Sequence, residues 1–125
     1  MSTPAHSSSR EASMDSEEVL RRLSIGDPVL CAAFMSDVHP VLPGTLDRQS
    51  LALLRLGASI GTGAIGPVLH QRVGESLAAG LDFDEVVASL VALVPVIGIE
   101  RAVAAAPGVA QGLGYDVGAD LERPD

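Results

Sequence analysis

The sequence predicts an all-α fold of about five to six helices. Apolar residues recur at helical spacing through the middle of the chain, helical stretches open on capping residues and close on glycine or proline, and no strand-like alternation occurs. Of the 125 residues, 47% are hydrophobic but only 2% are aromatic (Phe34, Phe83 and Tyr115), enough apolar surface to fold. The residues up to Met14 are Ser-rich and aperiodic and read as a disordered N-terminal tail; 116–125 read as a polar C-terminal tail. One helical domain over 15–115 lies between them, with a core that is feasible but thin.

Each helix has its own punctuation. Asp15 followed by Glu18 is a capping box opening a short helix through Leu23, which Gly26 ends. Asp27-Pro28 supplies an N-cap and a first-turn proline for the next, VLCAAFMSDV, which stops near His39-Pro40. A third helix starts around Asp47 and carries Leu51, Leu54, Leu56 and Ile60 into Gly61-Thr62-Gly63. A fourth runs from about Ala64 to Ala79 and closes at Gly80. Asp82 and Glu85 form a second capping box. The helix it opens holds Val86 to Ile99, an uncharged apolar run with Pro95 as an expected kink. The run is too short for a membrane span, which needs about 20 apolar residues. Being apolar on every side it should be surrounded by protein, and so small a domain can hardly do that alone, so a homo-oligomer is expected. The pattern continues through ERAVAAA to Pro107-Gly108, with a last short helix from Val109 to Leu113.

Sixteen acidic residues against eight basic ones, all arginine, leave a formal charge of −8. Nucleic acid is not an expected partner, because phosphate binding needs basic patches and single strands need aromatic platforms. No secretory apolar stretch follows the N-terminus, so the expected location is cytoplasmic. The single cysteine, Cys31, lies among apolar residues with no local positive charge and reads as a packed thiol. His6, His39 and His70 have no short metal-ligand spacing, so no metal site is expected. His39 is explained by its place at a helix C-terminus. The glycines from Gly57 to Gly66 follow a helix and lack a Gly-Lys-Ser/Thr ending, which excludes a phosphate loop.

His70 is the residue of chemical interest. Gly66 and Gly74 stand four residues before and after it, on the same helix face. That gap admits either a small molecule or a closely packed helix, and an imidazole is suited to proton transfer near neutral pH. Among Arg48, Arg55, Arg72 and Arg101, Arg48 and Arg72 are preferred for gripping a substrate carboxylate.

LDRQSLALLRLGASIG and VLHQRVGESLAAGLDFDEVVASLVALVPVIGIERAVAAA together resemble the carboxymuconolactone decarboxylase family, within the alkylhydroperoxidase D-like superfamily. Leu46-Asp47, His70, Gly80, Glu85 and Gly98 carry the resemblance, which covers about Leu46 to Gly112. It implies an alkylhydroperoxidase D-like helical fold assembled as a homotrimer or homohexamer. The redox members resemble Cys-x-x-Cys-x-x-x-His, where this chain has Gly63 and Gly66 before His70, so thiol peroxidase activity is excluded. The family's proton-relay Arg-Glu corresponds to Leu51 and Ala52, so that carboxylate is missing too.

The expectation is a lyase or isomerase using His70 as general acid/base on a small carboxylated or cyclic compound. Arg48, Arg72, Gly66 and Gly74 would form the binding site, and no cofactor or metal is required. The alternative is a non-catalytic helical oligomer that binds a small ligand or a partner protein.

Overall fold

The computed structural model describes residues 15–36, 45–116 and 118. Among them are six helices and no strand: α1 (Ser16–Ser24), α2 (Pro28–Phe34), α3 (Arg48–Gly61), α4 (Gly66–Ala78), α5 (Phe83–Ile97) and α6 (Ile99–Gly112). The chain divides into two units, Met1–Thr45 and Leu46–Asp125. All of the expected N-terminal tail, with His6, and His39 and nearly all of 116–125 lie outside the described residues.

In the first unit, the Asp15 carboxylate accepts a hydrogen bond from the Glu17 amide at 3.1 Å and so caps α1. The expected reciprocal half of this box is not made, because Glu18 turns to the guanidinium of Arg21 at 2.8 Å. Asp27 caps α2 by accepting from the Val29 amide, with Pro28 in the first turn. Arg22 of α1 donates to the same Asp27 carboxylate and ties the two helices together. Helix α2 ends at Phe34, earlier than the sequence pattern suggested. Met35 closes it on the carbonyls of Cys31 and Ala32, and the Ser36 hydroxyl takes the Ala33 carbonyl at 2.8 Å.

The second unit carries one aliphatic core. Ala52, Leu56 and Ile60 of α3 meet Leu69 and Val73 of α4, Leu81, Val86 of α5, and Ala105 and Val109 of α6. The buried stripe of α3 therefore runs through 52, 56 and 60, whereas Leu54, an expected apolar position, is 60% exposed. Asp47 caps α3 through the Ser50 amide at 2.7 Å. Both halves of the Asp82–Glu85 capping box form, at 2.8 and 3.0 Å. Gly80, with φ of +99°, closes α4 in a conformation that disfavours a side chain.

The C-terminal helices depart from the sequence pattern in two ways. The pattern runs unbroken from Asp82 to Pro107, but the chain breaks at Gly98, where φ is +90°. Helix α6 then passes through Pro107 to Gly112, where a stop followed by a separate short helix was expected. Pro107 lies on the exposed face, as does Val103, whose carbonyl loses its helical partner, so water can satisfy that carbonyl. The residues around Pro107 hold the helix to its neighbour: Gly108 and Val109 are buried. A Cβ on Gly108 would lie 3.0 Å from Leu69 Cδ1, and one on Gly112 would lie 2.7 Å from Val73 Cβ. These two glycines, one turn apart, set the close approach of α6 to α4.

Candidate functional site

His70 is exposed on α4 and lines none of the described depressions. The glycines on either side of it have different surroundings. A Cβ on Gly74 would meet nothing within 4 Å. Gly66 gives its Cα to the contact with α6, 3.4 Å from the place a Gly108 Cβ would take. Close helix packing, one of the two readings of the Gly66–Gly74 stripe, is thus made mainly by Gly108 and Gly112 on the facing helix. The spacing of those two, four residues apart on one helix, was the available signal.

Gly66 also borders a depression of about 420 Å³ that includes Gln111, Tyr115 and Asp116. The arginines lie elsewhere. Arg72 is committed within the protein, donating to both Glu75 oxygens at 3.1 Å and to Ser59 Oγ at 3.3 Å. Arg101 donates to the Gly61 carbonyl at 2.8 Å. Arg48 and Arg55 line a smaller depression of about 220 Å³ between α3 and the end of α4. The structure therefore does not gather His70, Arg48 and Arg72 into one pocket.

The largest chemical feature is apolar. Val86 is the one buried residue of α5, while Val91 is 63% and Val96 79% exposed. On the α6 side of α5, Phe83, Val87, Leu90, Val103, Leu113 and Tyr115 line a groove of about 480 Å³ with almost no polar surface. Phe83 and Tyr115 meet edge to face there, ring centroids 6.2 Å apart. On the α3 side a second depression of about 540 Å³ is floored by Leu53, Leu54, Gly57 and Leu93. An uncharged ridge is thus flanked by apolar hollows. The all-round hydrophobicity of Val86 to Ile99 pointed to a buried helix; within this chain it is half-covered.

No family model, curated protein or solved structure matches the chain. Among the described residues no group of three or more His, Cys, Asp or Glu side chains is placed to hold a metal ion. Nor is any helix among them long and apolar enough to cross a membrane.

Carboxyl groups at two helix N-termini and in one exposed ion pair are shifted. The amide and hydroxyl of Ser50 hold the Asp47 carboxyl below the usual carboxylate range. Hydrogen bonding from Arg22 does the same for Asp27, and from Arg21 for Glu18. These shifts belong to helix caps and surface pairs.

Proposed function

We propose that the chain works as a homo-oligomer of alkylhydroperoxidase D-like helical domains, assembled through the exposed face of α5 and α6 and binding a small molecule. The observation that carries this reading is the uncharged ridge of α5 with an apolar hollow on each side. A ridge beside grooves is self-complementary: the ridge of one copy can enter a groove of the next. Exposed contiguous apolar surface of this kind marks an interaction site. The occupant proposed is a second copy, whose own uncharged ridge fits the hollow. The net charge of −8 on each chain opposes association overall, and Val86 to Ile99, without a charged side chain, adds no local repulsion to it. The test is Val91→Asp, which places a carboxylate on the ridge without touching the core. It is expected to lower the mass of the assembly toward 12.8 kDa while the helical circular dichroism is kept. An unchanged mass would overturn the proposal.

A second reading keeps chemistry at His70. Its support is the open space beside Gly74 and the depression bordered by Gly66 one turn away. Here the protein is a carboxymuconolactone decarboxylase-like lyase or isomerase of a small carboxylated or cyclic compound, with His70 as general acid/base and no cofactor. General acid/base chemistry gains from exclusion of water, and His70 is exposed in the single chain, so another surface must close over it. Assembly is therefore a precondition of this reading as well.

A further inference from the structure

The described part of the chain contains six arginines, and four of them have a named acceptor within the protein. Arg21 donates to Glu18, Arg22 to Asp27, Arg72 to Glu75 and Ser59, and Arg101 to the Gly61 carbonyl. The other two, Arg48 and Arg55, have no hydrogen-bond or ion-pair partner among the described residues, and both line the same depression of about 220 Å³. A solvated surface charge explains either one singly. It does not explain why, in a chain with twice as many acidic as basic residues, the two unpartnered guanidiniums share one hollow.

The rest of the lining completes the chemistry. Leu51, Ala52, Ala78 and Ala79 make an apolar floor. Glu75 also reaches the hollow, but both its oxygens are engaged by Arg72, so its charge is offset locally. Two exposed guanidiniums, without an ion pair among the described residues, therefore border a largely hydrocarbon hollow. Arg48 and Arg55 are seven residues apart on α3, two turns along one helix face, which separates their Cα atoms by roughly 10 Å. Flexible arginine side chains can reach inward across that span, and each guanidinium fork matches one carboxylate.

We propose that this hollow binds a small organic dicarboxylate, one carboxylate on Arg48 and the other on Arg55, with the carbon body over Leu51 and the alanines. The site is separate from the α5–α6 face, and the proposal stands independently of assembly. Adipate is a suitable probe, with hexanoate and hexane-1,6-diol of the same chain length as controls and inorganic phosphate as a bare anion. Isothermal titration of the full chain at low salt should show adipate binding more tightly than hexanoate, with no detectable binding of the diol. Arg48→Gln and Arg55→Gln should each weaken adipate about tenfold or more, the loss expected for one charge-assisted contact. Each should leave hexanoate affinity changed far less, and neither should alter the mass of the assembly. Adipate binding that is absent, or unchanged in both variants, would overturn the proposal. So would phosphate binding as tight as adipate, which would reduce the hollow to a nonspecific anion patch. Val91→Asp should leave adipate affinity unchanged, which separates failure of this site from failure of assembly.

Discussion

A single added methyl group at Gly112 tests the close approach of α6 to α4. Gly112 on α6 faces Val73 on α4, and a Cβ there would lie 2.7 Å from Val73 Cβ, 3.0 Å from Cγ1 and 3.2 Å from Cγ2. Ordinary van der Waals contact begins near 3.4 Å, so Gly112→Ala demands a relief of about 0.7 Å. The nearest atom is a β-carbon, which no rotamer change can move, so the two helices must separate. Val73 is fully buried, and separation loosens the core around Leu69 and Val109 as well. Overpacking of this kind costs about 1–3 kcal/mol. Alanine's better helix propensity returns less than about 1 kcal/mol, because Gly112 is the last residue of α6. The net expectation is a loss on the order of 2 kcal/mol, or roughly 8–16 °C in Tm for a unit of this size. Gly74→Ala is the matched control. Its new methyl meets nothing within 4 Å inside a helix, so it should stabilise by about 0.5–1 kcal/mol. Thermal and urea unfolding followed by circular dichroism at one protein concentration measures both. A Gly112→Ala chain as stable as wild type would refute the packing described here.

Acid should weaken the fold through its caps. Asp27 and Asp47 are held below their usual carboxylate pKa in the folded chain, so their contribution is present above the unfolded value and lost as pH falls through the folded one. Tm should therefore decline below about pH 4, and the double variant Asp27→Asn, Asp47→Asn should show a shallower decline; an unchanged slope would show that the caps do not contribute. If chemistry resides at His70, His70→Gln should lower turnover of an identified substrate by about 10²–10⁴-fold without changing Tm by more than a few degrees, because the side chain is exposed; full turnover would exclude that role.

Much of the second unit could be read from local chemistry. Asp47, Asp82 with Glu85, and Gly80 act on neighbours within a few residues, and they mark where α3 begins, α4 ends and α5 begins. The break at Gly98, where the backbone takes a positive φ, and the continuation through Pro107 depart from the pattern, and contacts of α6 with α4 accompany the second. Gly108 and Gly112 keep α6 against α4 beyond a proline that would otherwise stop it. The candidate sites divide in the same way. Helical spacing places Gly66, His70 and Gly74 on one face, but it does not say whether that face is covered. The pairing of Arg48 with Arg55 is visible as an interval of seven residues. The Arg72–Glu75 pair is local too, three residues apart on α4, whereas the bond from Arg72 to Ser59 needs the packing of α3 against α4. The hydrophobicity of Val86 to Ile99 signals that the helix must be covered, and the structure adds which side of it the chain covers itself.

Assembly is proposed to run through that uncovered side, and the mass of the full chain in solution decides whether it occurs. Light scattering coupled to size exclusion, at several protein concentrations and moderate salt, should return a multiple of 12.8 kDa for the wild type. A particle of 12.8 kDa at every concentration would contradict the account, since the valine ridge and its two hollows would then stand exposed to water with nothing to cover them.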